Sequence, residues 1–336
     1  MKTSRSILAF LLVLVNTSNV WGTQSQWIEK AKAEGKLRIY GTTQIPQMQV
    51  VIKHFEKKYP FLEVEYYRAG GEKLAHKIVT EIRAGRHLAD VIHISGAETM
   101  MLKKMGFLGR YESTERRHIR DIYKDKDSNW TGVYANLELI GYNKTLVSSG
   151  DVPRSHKDLL DPRWKGKIGM DPTDVEWYIT QLHLLGEAKG REFMQRFAKQ
   201  DIQLRRGHTL LAQLLAAGEF SLIMTLRDNT AYGLIKKGAP IDWEAIEPVI
   251  PNPANAVSLP KRPPHPNAAR LWIDYVLSRK GQGILRGFGR NITRADLDPL
   301  QPRIKKLRYG KIDWPYYLAR YKEYEAEFRE TFLQAK

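Results

Sequence analysis

An α/β fold in two domains is predicted from three observations. Strand and helix patterns alternate over residues 36–82, a second strand and helix series runs over 159–225, and two long extended runs lie beside them. At 336 residues the chain exceeds one typical hydrophobic core, which favours two domains.

The first series justifies itself residue by residue. Leu37 to Tyr40 is a short apolar run stopped by Gly41, the pattern of a buried parallel strand. Met48, Val51, Ile52, Phe55 and Tyr59 recur at helical spacing behind Pro46, and Pro60 ends that helix. Leu62 to Tyr67 supplies a second strand, and Arg68 to Gly71 leads into a helix carrying Leu74, Ile78, Val79 and Ile82. Asp90 to Ile94 is a third strand, followed by Ser95-Gly96 and a helix from about 98 to 105. Strand-to-helix loops of such a unit open at the carboxyl edge of the sheet, where open α/β sheets bind ligands. Thr42, Thr43, Gln44, Gly70, Gly71, Ser95 and Gly96 are therefore placed to meet a small molecule. The ordinary alternatives are capped turns and backbone geometry alone.

Lys2 and Arg5 precede the apolar run Ile7 to Val15, and Val20-Trp21-Gly22 offers a cleavage site, so 1–22 is expected to be a secretory signal peptide. Nine apolar residues cannot span a bilayer, and no later segment approaches that length. A periplasmic product that is not itself membrane-spanning follows. No cysteine occurs, which excludes disulfides and lipid attachment through an N-terminal cysteine. The formal charge is +17, and removing Lys2 and Arg5 from the 54 basic residues against 37 acidic ones leaves +15. That balance favours anionic partners, although a solvated basic surface accounts for most of it. The basic residues are spread along the chain and no nucleic-acid motif occurs, so no nucleic-acid partner is expected.

Residues 106–130 read as a charged surface excursion. Thr131 to Asn143 is a long extended run, and Glu247 to Val257 a second one. Between them lie a strand ending at Ile168, the loop Met170 to Asp174, helices over about 175–185, 190–199 and 209–217, the strand Phe220 to Thr225 and a polar loop from Leu226 to Gly233. Tyr134 and Asn136 lie in the first crossing. Asp171 and Thr173 stand at a helix start where backbone N–H groups face an anion, or merely cap it. Arg227, with Asn229 and Tyr232 close by, suits a carboxylate, phosphonate or phosphate group, or else pairs with a surface carboxylate. Helices follow over about 267–278, from 281, and from 313 to the end. In the last, Tyr317, Tyr321, Tyr324, Phe328 and Phe332 form an aromatic stripe that reads as packing. His76, His87 and His93 lack metal-ligand spacing, and neither a GxSxG elbow nor a P-loop is present, so no metal, cofactor or catalytic residue is expected.

The order of LRIYGTT, LADVIHISG, GVYANLELIGYN, LLDPRWKGKIGMDP, TLLAQLLAAGEFSLIMT and NAARLWIDYVLSRKGQG resembles the extracellular solute-binding proteins of ATP-driven importers, within them the ferric-iron-type group. The resemblance implies the type II periplasmic-binding-protein fold: two lobes, each a mixed sheet flanked by helices, with a C-terminal helical extension. It places lobe one at 23–138 plus 256–279 and lobe two at 139–255 plus 280–336. It also implies capture of a small, anionic solute by hinge closure, delivery to an ABC permease and a monomeric protein that is not an enzyme. One departure bears on iron: where iron binders of this group present two adjacent tyrosines, this chain has Asp228 and Asn229, with Tyr232 nearby. A ferric-iron or iron-chelate binder, a periplasmic transferase on the same scaffold and a receptor feeding a sensor protein are the alternatives.

Overall fold

The structure is a computed structural model that describes residues 20–311 and 313–333. Most of the expected signal peptide, 1–19, lies outside the described residues. In chain order the elements are α1 (Val20–Glu34), β1 (Lys36–Gly41), α2 (Ile45–Lys58), β2 (Glu63–Arg68), α3 (Gly71–Arg83), β3 (Val91–Ile94), α4 (Gly96–Lys104) and β4 (Trp130–Asn143). There follow β5 (Ile168–Met170), α5 (Val175–Leu185), α6 (Glu187–Ala198), β6 (Gln203–Leu204), α7 (His208–Ala217), β7 (Leu222–Arg227), α8 (Asp228–Lys236) and β8 (Ile241–Glu244). The chain closes with β9 (Pro251–Ser258), α9 (Pro266–Leu277), α10 (Arg279–Gly287), β10 (Asn291–Ile292), α11 (Pro302–Lys305) and α12 (Trp314–Leu333).

The strands run in the order β2-β1-β3-β9-β4-β7-β5-β6, with β8 and β10 also pairing on β4. β1, β2 and β3 are parallel, as the βαβαβ pattern requires, and β9 is antiparallel to both β3 and β4. β4 spans both halves: Trp130 to Leu137 pair with β9, whereas Glu138 to Asn143 pair with β7 and β8. The two extended runs expected as crossings are thus β4 and the region of β9.

Each half buries apolar side chains on both faces of its strands. In the first, Leu37, Ile39 and Val91 face Phe55, Trp272 and Leu285, whereas Ile92 and Ile94 face Leu74, Ile78 and Leu102. In the second, Ile140, Tyr142, Leu222 and Met224 meet Trp177, Tyr178 and Phe197, and Leu139, Ile223 and Leu226 meet Leu211, Leu215 and Trp243. Tyr324, Phe328 and Phe332 of α12 are buried in the second core, so these three rings of the aromatic stripe are packing. α10 packs on α2 and α9, and Leu285 lies in the first core.

Two local expectations are corrected. Asp228 to Gly233, read as a polar loop, is the first turn and a half of α8. The excursion 106–130 is not merely solvated surface. The buried Arg116 guanidinium donates to the Trp130 carbonyl (2.9 Å), Thr131 Oγ1 (2.6 Å) and the Asp125 carbonyl (2.6 Å), so its charge is spent on the backbone that enters β4.

Candidate functional site

Side chains alternate across a strand, so Leu222 and Met224 point to one core and Ile223 to the other. Leu226 then joins Ile223, which means the alternation slips by one residue at Thr225. Thr225 has φ of 56°, a left-handed conformation uncommon for a β-branched residue, and the β4–β7 register shifts at the same place, between Leu139 and Gly141. Its hydroxyl donates to Asp174 Oδ2 (2.5 Å), and Asp174 Oδ1 meets His208 Nε2 (2.9 Å). The bulge turns Arg227 to the same face as Glu138, its cross-strand partner.

Asn136 shares that face with Glu138, two residues back along β4, and pairs with Asn252 of β9. Asn252 Nδ2 donates to Glu176 Oε2 at the start of α5. From the first half, Glu98 in the opening turn of α4 comes within electrostatic reach of Glu176. A Cβ on Gly71 would collide with Glu98 Oε1, so this glycine is needed for the close approach of that carboxylate. Burial first, and repulsion from Glu176 second, push the Glu98 carboxyl up to about 7. Burial, then Asp174 and Glu176, push Glu138 up to about 8, against the pull of Arg227. Glu138 and Thr225 also line a cavity of about 40 Å3 in the second half, with Trp177, Thr180 and Met224.

Beside this group runs a directed hydrogen-bond chain. Trp272 Nε1–H donates to His93 Nε2 (2.8 Å), which leaves Nδ1 to carry the proton and donate to Asn255 Oδ1 (2.7 Å). Asn255 Nδ2 donates to Thr43 Oγ1 (3.2 Å), and Thr43 Oγ1 lies 3.0 Å from Tyr134 Oη. Tyr66 Oη donates to the Thr43 carbonyl (2.6 Å). The Arg290 guanidinium stacks 4.5 Å from the Tyr134 ring centre and donates to Gln47 Oε1 through Nε (3.0 Å) and Nη2 (2.9 Å).

The expected residues fall into three sets. Gly71 lies against Glu98 of α4, Ser95 immediately precedes α4, and Arg227 stands across the ladder from Glu138, which is two residues along β4 from Asn136; Ser95 Oγ, Asn136 Oδ1, Arg227 Nε and Asn229 Oδ1 are buried without a partner. Thr43 and Tyr134 anchor the adjoining chain, beside Thr42 and Gly96; Gln44 and Gly70 are exposed at helix starts. Asp171 and Thr173 are engaged locally. Asp171 Oδ1 accepts from Thr173 N (2.9 Å) and Thr173 Oγ1 (2.6 Å) within the loop before α5, and Oδ2 accepts from Gly207 N (2.6 Å) and ties that loop to the start of α7. Tyr232 packs its ring against Gly289. Glu98, Glu138, Glu176, Asn252, Asn255 and Arg290 were not expected. The signal available was a carboxylate inside the otherwise apolar run Leu137 to Tyr142, which is costly unless it is used. Among the described residues no three His, Cys, Asp or Glu side chains are grouped to hold a metal ion.

The family described as bacterial extracellular solute-binding protein matches residues 87–314. A Haemophilus influenzae protein described as uncharacterized is 26% identical over 309 residues, 85% of this chain and 87% of its own. Two solved structures superpose well. Iron-bound HitA from Pseudomonas aeruginosa has a TM-score of 0.77 at 20% identity, covering 89% of this chain and 99% of that one. AfuA from Actinobacillus pleuropneumoniae, with fructose-6-phosphate bound, has a TM-score of 0.74 at 23% identity, covering 90% and 99%.

Proposed function

This chain belongs to the bacterial extracellular solute-binding proteins, and from that premise we propose that it captures a small solute bearing an acidic group and delivers it to an ABC permease. What supports the ligand reading is that buried polar atoms without a partner occur in both halves, at the start of α4 and at the end of β7. Ser95 and Glu98 come from one half and Arg227 from the other, and a molecule bound between them satisfies all three only when the halves are together. Arg227 Nε, buried without a partner, is the donor for the acidic group.

The protein is exported by residues 1–22, works as a periplasmic monomer and changes no bond in its solute. Its lobes are 23–138 with 256 to about 292, and 139–255 with the C-terminal helices; α10 goes with the first because Leu285 is buried there. Among the described residues no helix is long and apolar enough to cross a membrane.

Mass spectrometry of the molecule that co-purifies from the periplasmic fraction tests this reading, with small-angle scattering on stripped and reloaded protein. A stoichiometric small acid whose return shrinks the radius of gyration is expected, and Arg227→Met abolishes the change. Turnover of that molecule, or an unchanged scattering profile with Arg227→Met binding normally, overturns it.

A further inference from the structure

We infer that the joint where α8 of the second half lies against the 289–290 link of the first is proton-sensitive, and that ionisation of Asp228 shifts the halves away from the arrangement described. Asp228 and Tyr232 are four residues apart, so they share one face of α8. Tyr232 packs on Gly289, where a Cβ would come within 2.5 Å of its ring. Arg290, the next residue, is held in the first half by Gln47 and Tyr134 and is the cation that acts on Asp228. The joint also sits on the strand the halves share. Asp228 Oδ1 accepts from Leu137 N (3.0 Å), at the point where β4 leaves β9 for β7 and β8, and Gln301 Nε2 donates to the Asp228 carbonyl (3.1 Å).

Within that joint one atom is unsatisfied. Asp228 is 0% exposed, and its Oδ2 has no partner. The other charged groups around α8 are engaged elsewhere. On β8, Asp242 pairs with Arg303 and Glu244 with Arg154; on α7, His208 meets Asp174 and Asp171; on β7, Arg227 faces Glu138 of β4, and Lys236 of α8 itself is exposed. Tyr123 and Tyr309 come within electrostatic reach of Asp228, and burial raises both phenols further above neutrality; Arg120, which acts on both, donates to the Ile292 carbonyl (3.1 Å). An ionised Asp228 is therefore balanced chiefly by Arg290, with no hydrogen bond between them. Burial pushes its carboxyl up to about 7, against the pull of the Leu137 N–H and Arg290. An arrangement in which Oδ2 meets water or an Arg290 N–H stabilises the charge better and so binds the proton less tightly. By linkage the arrangement described is favoured below about 7 and loses population as pH rises through that value.

The chain has no cysteine, so Lys53→Cys on α2 and Lys237→Cys after α8, both at exposed positions, carry one spin-label pair across the joint. Pulsed dipolar spectroscopy then reads the distance between the halves in the solute-free protein from pH 5.5 to 8. The population of the distance that dominates at pH 5.5 is expected to fall about threefold or more by pH 8, with a midpoint near 7. Asp228→Asn keeps an acceptor for the Leu137 N–H and cannot ionise, so it should hold the low-pH distribution throughout. Glu98→Gln combined with Glu138→Gln removes the other gap carboxyls raised into this range and should leave the step in place. Arg290→Gln removes the balancing cation and should move the midpoint upward. An unchanged distribution from pH 5.5 to 8 in the parent, or a step that survives Asp228→Asn, overturns the inference. If the Asp228→Asn protein does not fold, an unmoved midpoint in Arg290→Gln overturns it instead. Solute capture is decided separately, by the identity of the co-purified molecule.

Discussion

Glu138 and Arg227 stand opposite one another across the antiparallel β4–β7 ladder, one carboxylate and one guanidinium on the same face of the sheet. Arg227 is the counter-charge that lowers the cost of ionising Glu138, and burial with Asp174 and Glu176 outweighs it.

Glu138→Gln is expected to change how stability depends on pH. The native carboxyl holds its proton up to about 8, while an unfolded glutamate releases it near 4.5, so ionisation destabilises the native state progressively as pH rises between those values. Glu98 and Asp228, each raised to about 7 chiefly by burial, act in the same direction. The ligand-free protein should therefore melt at lower temperature at pH 8 than at pH 5.5. Glu138→Gln should melt several degrees above the parent at pH 8 and close to it at pH 5. Melting curves across that range check this, and a parent that gains stability from pH 5.5 to 8 contradicts it.

His93 is expected to stay neutral, with the proton on Nδ1. Burial lowers it to about 4, and the Trp272 N–H occupies Nε2. A lowered histidine contributes stability that is present above about 6.5 and lost as pH falls toward 4. Nitrogen NMR should show one unprotonated ring nitrogen throughout pH 5.5 to 8. His93→Leu strands the Trp272 N–H and an Asn255 oxygen and should cost about 2–4 kcal/mol in urea denaturation.

Thr225→Val and Thr225→Ser should separate. Valine keeps the β-branch in a left-handed backbone and loses the bond to Asp174, at a cost of about 2 kcal/mol or more. Serine keeps the bond and relaxes the backbone, so it should remain within about 1 kcal/mol of the parent. Because the bulge aims Arg227, the valine variant should also weaken solute binding. Binding titrations on both variants decide this.

Phe328→Ala should destabilise the second half by about 3–5 kcal/mol, since the ring is fully buried against Tyr178 and Phe332. Solute affinity measured well below the transition should be unchanged. A large loss of affinity with intact stability would instead make the stripe part of the site.

Amino-acid order alone determined the alternation of strands and helices, the two crossings and the helical tail, because apolar periodicity is local and survives without knowledge of neighbours. It also marked Ser95, Asn136, Arg227 and Tyr134, since loops at the carboxyl edge of a sheet and polar residues in a crossing strand are visible in one dimension. Glu98, Glu138, Glu176 and Asn252 are far apart in sequence and meet only through long-range strand pairing, so the acidic character of the gap could not be read from a chain with a formal charge of +17. The left-handed Thr225 likewise depends on a register shift against β4, and the local use of Asp171 on the position of Gly207. Periodicity settles which face of an element is buried; only the packed structure settles which polar groups that burial leaves facing one another, and so which molecule they can accept.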